Sequence, residues 1–225
     1  MSDSINQAHY RARRLAATIV LFLFLGAVAW GEEGVKVHRT QAGTKDESGW
    51  YQAASTEGDF TVSVPIPFND FTVTVHDPKL GDVRTYGVGG KSAEGFEFSA
   101  AETPFVERMK HPTPSSMLDS FRQNGKRLED AETNDFHSMP SCTFTGYENG
   151  MVVFARCVLA PHDFVFLQLK FPPAERKHAE QLKEKFLSSL RFRRNPTGVT
   201  SQGNESILSH PNGTALGNTG NGGAR

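Results

Sequence analysis

The chain has 225 residues, 24 of them basic and 25 acidic, for a formal net charge of −1. That length suits one domain with extensions or two very small domains, and the balance gives no electrostatic case for nucleic acid. A composition 37% hydrophobic and 22% charged excludes wholesale disorder and a polytopic membrane protein, and two cysteines are too few for a disulfide scaffold.

The N-terminus has the three parts of an export signal. Arg11, Arg13 and Arg14 form a charged start, and Leu15 to Trp30 follows without a charge. Ala27-Val28-Ala29 supplies the small-x-small pattern of a cleavage site. The apolar run falls short of the roughly 20 residues that span a bilayer comfortably. Residues 1–30 therefore read as a signal peptide or an N-terminal membrane anchor, with the remainder exported in either case. Residues 31–49 are polar and turn-rich and read as a linker. A globular domain is expected over residues 50–194. The tail, residues 195–225, is rich in Asn and Gly and poor in large apolar groups, the composition of a disordered segment. Asn204-Glu205-Ser206 and Asn212-Gly213-Thr214 in it match the glycosylation acceptor pattern, which matters only in a eukaryotic secretory pathway.

Inside the domain, Asp59 to Pro65 alternates Phe60, Val62 and Val64 with polar residues, a strand pattern. Phe71 to His76 repeats it, and Asp77 to Asp82 is a turn. Val83 to Val88 is a strand that Gly89-Gly90 is expected to end. Phe96 to Ala100 is another. Thr113 can then cap a helix with Pro114 at its first position, and Gly125 can terminate it. Leu118 and Phe121 would face the core. Cys142 to Tyr147 and Met151 to Leu159 form a hairpin around Asn149-Gly150, the preferred two-residue turn. Phe164 to Phe171 follows as a strand. After Pro172-Pro173, Ala179, Leu182, Phe186, Leu187 and Leu190 fall on one helical stripe. Hairpin-linked strands with two helices make an α+β fold with a mainly antiparallel sheet. Apolar residues on both faces of the Cys142–Leu159 hairpin place it at a sheet centre covered on both sides.

Three stretches carry a family resemblance. EGDFTVSVP resembles the opening strand of Mog1/PsbP-like proteins. FVFLQLKFPPAERKHAEQLKEKFLSSLRF resembles their last strand and helix, with Phe186 to Phe192 the nearest stretch. The resemblance covers about residues 50–194. It implies an antiparallel sheet flanked by helices, an α/β/α sandwich, and a mostly non-enzymatic role. It carries no catalytic residues over.

Cysteine spacing yields a geometric expectation. With Asn149-Gly150 as the turn, Glu148 pairs with Met151, and six steps outward Cys142 pairs with Cys157. This is a hydrogen-bonded pair with Cα atoms about 5.5 Å apart, inside the disulfide window of roughly 4.4 to 6.8 Å. Export permits oxidation, and the closed loop would add about 3 kcal/mol in the chain-entropy account. The alternative is two free buried thiols acting as small apolar residues.

The histidines show no paired zinc spacing. His76-Asp77 and His162-Asp163 each sit at a strand end before a turn. They would form a metal or acid–base site only if those loops met in space; ordinary turn residues explain them otherwise. No nucleophile elbow and no phosphate-binding loop is present, and no cofactor is implied. The expected function is a non-enzymatic exported module that binds a protein partner in the cell envelope or outside the cell. No nucleic-acid partner is expected, and membrane contact only through the N-terminal segment. The competing expectations are a small hydrolase whose site assembles only in three dimensions, and a carrier of a small apolar ligand.

Overall fold

A computed structural model describes residues 34–193 except 79, 110 and 124–126. The signal or anchor with Ala27 and Ala29, the tail and Gly125 lie outside the described residues.

Eight strands form one antiparallel sheet in the order β1-β4-β5-β6-β10-β9-β8-β7. They are β1 (Val35–Ala42), β4 (Phe68–Asp77), β5 (Gly81–Lys91), β6 (Glu97–Pro104), β7 (Leu128–Phe136), β8 (Met139–Glu148), β9 (Met151–Leu159) and β10 (Asp163–Phe171). A smaller sheet joins β2 (Tyr51–Ala54), β3 (Phe60–Val64) and β11 (Arg191–Phe192) in the order β11-β3-β2. The helices are α1 (Pro114–Gln123) and α2 (Arg176–Leu187), the latter entered through a 3-10 turn at Pro173–Glu175. Thr113 caps α1 through its Oγ1, which accepts the Ser116 N–H at 3.2 Å.

The β8–β9 hairpin follows the register read from the sequence, from Glu148↔Met151 to Cys142↔Cys157. Asn149 and Gly150 both have positive φ, 49° and 76°, as a two-residue turn of this kind requires. Alternation along these strands feeds two cores. Val152, Phe154 and Val158 join Phe98, Phe171, Phe186 and Leu190 on one face. Val153, Ala155 and Cys157 join Phe144, Phe166 and the α1 residues Met117, Leu118 and Phe121 on the other. The stripe of α2 buries Ala179, Phe186 and Leu187.

The mainly antiparallel sheet with two helices is as expected. The flanking differs from full helical layers: α1 covers part of one face, and α2 shares the other with the small sheet. Four strands escape the sequence reading, β1 and β7 because they are mostly polar and β2 and β11 because they are short. Residues 31–49, read as a linker, contain β1, which pairs with β4 and is registered at Val35↔Val73 and Val37↔Phe71. An edge strand needs only one lightly apolar side, so Val35 and Val37 suffice. β7 is an edge strand with Glu129, Asp130, Glu132 and Asp135, and β2 and β11 are short. Both outer strands of the large sheet carry register shifts, between Val37 and Ala42 in β1 and between Glu129 and Glu132 in β7. β5 runs through Gly89-Gly90 instead of ending there. A Cβ on Gly89 would meet Phe98 O at 2.7 Å and one on Gly90 would meet Pro67 O at 2.5 Å. These glycines admit close backbone approach within the sheet.

Phe186 is fully buried, and its ring stands edge-on to Phe98 at 5.3 Å. Phe186→Ala is expected to cost about 3–5 kcal/mol, measured as a lowered urea midpoint with an unchanged slope.

Candidate functional site

A connected group of polar side chains surrounds the loop between β2 and β3, residues 55–59. The loop is where the small sheet turns back over β4, β5 and β6, so its backbone polar groups are partly withdrawn from water. Each needs a partner.

Asp70 supplies the first. It lies on β4 between Phe68 and Thr72 on the inward face and is fully buried. Its carboxylate accepts the Thr56 N–H at 3.0 Å, the Thr56 hydroxyl, and Arg39 Nε at 2.9 Å. Arg39 also donates to Ala54 O. A buried carboxylate with a guanidinium and two further donors is compensated in full. Next to it, Glu57 accepts Lys36 Nζ at 2.9 Å and the Thr72 hydroxyl at 3.0 Å. Hydrogen bonds from Lys36 and Thr72 hold the Glu57 carboxyl below its ordinary value. His38 Nε2 lies 2.9 Å from Thr72 Oγ1 and 3.5 Å from Glu57.

Glu102 supplies the other end. It sits on β6, 4% exposed, opposite Tyr86 and Val165. Its Oε2 accepts the Asp59 N–H at 2.6 Å. Burial pushes its carboxyl up to about 7 against that hydrogen bond, and the charges of Asp163 and Asp59 push the same way. Asp163 is also raised, first by burial and then by Asp59. Arg193, beyond β11, donates its N–H to Asp59 O at 2.7 Å and its guanidinium to Gly58 O. The loop is thus held from three sides: by β4, by β6 and by the chain leaving β11. The arrangement holds one proton near neutrality at Glu102, and the carboxylates of Asp70 and Glu57 are engaged by Arg39, Lys36, Thr56 and Thr72.

The two His–Asp pairs occupy separate turns. His76 Nδ1 is 2.8 Å from Asp82 Oδ1, and Asp77 Oδ1 accepts the Leu80 N–H at 2.8 Å. His162 O accepts the Phe105 N–H, and Asp163 O accepts the Ala160 N–H. Both turns stand at the same end of the sheet, because Pro104 pairs with Asp163 and Asp77 with Gly81. Three strand spacings, roughly 14 Å, lie between them. Of the four, Asp163 stands nearest the polar group around Glu102, two residues before Val165, which pairs with Glu102, and its charge helps to raise the Glu102 carboxyl. Among the described residues no group of three or more His, Cys, Asp or Glu could hold a metal ion.

Sequence reasoning missed Asp70, Glu102, Glu57 and His38. A signal for two of them was present: Asp70 and Glu102 stand at inward-facing positions of apolar strands, where an unpaired acid is costly.

No protein-family model matches this chain, and no curated protein does. Among solved structures it is similar to cyanobacterial PsbP (CyanoP) from Synechocystis sp. PCC 6803. That likeness has a TM-score of 0.42 at 12% identity, over 75% of this chain and 98% of that one. A protein of unknown function from Pseudomonas aeruginosa, PA94, gives 0.41 at 12% identity, over 65% and 99%. LpqN of Mycobacterium tuberculosis, involved in cell envelope biogenesis, gives 0.32 at 11%, over 72% and 87%. PsbP gives its name to the family that the strand-and-helix pattern resembles. At these scores no residue role or activity passes from those proteins to this chain.

The raised Glu102 carboxyl makes stability depend on pH in a definite direction. Between its ordinary value of 4.5 and about 7, the folded chain holds a proton that the unfolded chain has lost. Stability therefore falls as pH rises through that window, and Asp163, also raised, adds to the same slope. Glu102→Gln keeps an acceptor for Asp59 and removes the ionisation. Its urea midpoint is expected to exceed the parent's at pH 8 and to match it below the ordinary carboxylate value.

Proposed function

We propose that this chain is an exported, non-enzymatic module that binds a protein partner in the cell envelope or outside the cell. The observation that carries this reading is the open corner of the large sheet. Val37 on the edge strand β1 is 57% exposed, the one large hydrophobic side chain so exposed among the described residues. It stands opposite Phe71, and Val35 stands opposite Val73, so the four share one face. Phe71, Val73 and Val75 are only partly buried. That apolar row continues the face that α1 covers further along the sheet, and among the described residues it ends at the edge strand β1. An apolar surface of this kind on an exported domain fits a contact with another protein.

The polar seam supports the same reading from the other direction. Its carboxylates accept the backbone N–H groups of Thr56 and Asp59, the Arg39 guanidinium, the Lys36 ammonium and the Thr72 hydroxyl, which fixes a loop and leaves them committed. The sheet with α1 on one side and α2 with the small sheet on the other is, in this reading, the α/β/α arrangement of the Mog1/PsbP-like fold. The N-terminal segment would deliver the module across the membrane and, if retained, hold it there.

Crosslinking of the full-length protein in intact cells, followed by mass spectrometry of what is captured, tests the proposal. One dominant envelope or extracellular protein is expected. Val37→Glu should leave stability within about 0.5 kcal/mol and reduce that capture severalfold. Capture of nothing specific by the parent protein would overturn the reading.

A further inference from the structure

Cys142 and Cys157 stand directly opposite each other on β8 and β9, and both are fully buried. Both are thiols in this structure. Their place in the hairpin makes them a hydrogen-bonded pair, with Cα atoms about 5.5 Å apart and both side chains on one face. That separation falls inside the disulfide range of roughly 4.4 to 6.8 Å. A hydrogen bond between the two sulfurs lowers the Cys142 thiol and holds Cys157 well above the ordinary thiol value, with burial adding to the second effect.

The pair also has a cover. Met117, Leu118 and Phe121 of α1 pack in the same buried cluster as the two cysteines. Phe121 closes it, its ring 4.8 Å from Phe144 and 5.8 Å from Phe166. Thiol–disulfide exchange requires a third sulfur to reach one of the pair as an attacked or attacking thiolate. With α1 docked there is no approach, and Cys157 is held protonated.

We propose that Cys142 and Cys157 are joined by a disulfide in the exported protein, formed before α1 docks on β8 and sealed beneath it afterwards. This rests on the export reading, because a disulfide persists only in an oxidising compartment. The reaction consumes one disulfide-bearing donor. Cys142 loses its proton to solvent, and its thiolate attacks one donor sulfur. The donor's S–S bond breaks, and its other sulfur leaves as a thiolate. Cys157, deprotonated in turn, attacks Cys142 Sγ and expels the remaining donor sulfur. Two protein thiols are oxidised, and one donor disulfide is reduced to two thiols. The order of events matters: a chain that folds first buries its thiols and stays reduced.

Two measurements on the full-length protein separate the bond from the address. In the first, protein recovered from fractionated cells is alkylated after denaturation and weighed intact. Exported protein is expected two hydrogens lighter than the thiol form and unalkylated. Two alkylated cysteines in exported protein would overturn the bond. In the second, which involves no export, the reduced chain is held with oxidised glutathione in urea and brought slowly through its folding transition, so that exchange can act before α1 docks. Closure of the bond is expected, and refolding with both thiols intact would overturn the proposal wherever the protein resides in cells.

Sealing has its own readout. The folded, reduced protein should react with the same donor at least about a hundredfold more slowly than the denatured chain. Phe121→Leu should raise the folded rate roughly tenfold by easing α1 away. Equal rates in folded and denatured protein would overturn the sealing. Oxidised protein should melt roughly 6–12 °C above reduced protein, and coincident melting curves would overturn the bond as a staple of the hairpin.

Discussion

A one-residue slip of β9 against β8 would send Phe154 to the face that Val153 now fills and turn Cys157 away from Cys142. Every side chain of the strand would change cores at once. Both faces are buried here, so the slip would put the wrong volumes into two packed interiors together. Asn149 and Gly150 prevent it by fixing where the turn closes. From that register follow the α1 face with Phe144 and Phe166 and the opposite face with Phe98 and Phe186. The two helices and the small sheet then settle on surfaces whose pattern the hairpin has already set.

The small sheet depends on a second constraint. A loop folded back over a larger sheet must satisfy its backbone in partial isolation from water. Asp70, Glu102 and Arg193 meet that demand from strands far apart in the chain. The cost appears at Glu102, whose burial opposes ionisation near neutrality. The polar residues that first suggest chemistry are thus bound to the architecture, while the apolar corner around Val37 is left facing outward.

The parts of this structure that local physics determines were legible in the residues. Asn149-Gly150 needs positive φ at both positions, so the hairpin and the Cys142–Cys157 pairing follow without tertiary information. The stripe from Ala179 to Leu187 shows α2 through its period alone, whereas Leu190, expected on the same stripe, lies beyond the helix end and is buried from the segment that follows. β1 and β7 were not legible. An edge strand has one neighbour, so its alternation can be weak, and LEDAETNDF reads as a loop until β8 pairs with it. The candidate site was the least legible. Asp70 and Glu102 lie at inward strand positions, but what they satisfy is the backbone of residues 56 and 59, and only folding brings those together. His76-Asp77 and His162-Asp163 look alike in sequence because turns favour Asp, and the sheet keeps two strands, β5 and β6, between β4 and β10.

The two outer strands of the large sheet give the molecule a property of a different kind. An open sheet offers unpaired N–H and C=O groups at each end, a template on which further chains can stack. Here β1 ends the sheet with Lys36 and Arg39 and an interrupted register, and β7 ends it with four acids and another interruption. Bulges of this sort twist an edge out of line with any incoming strand. Among the described residues the sheet stops at eight strands, with an interrupted register at each edge. The apolar face near Val37 lies beside that interrupted edge, and the contact proposed there need not extend the sheet.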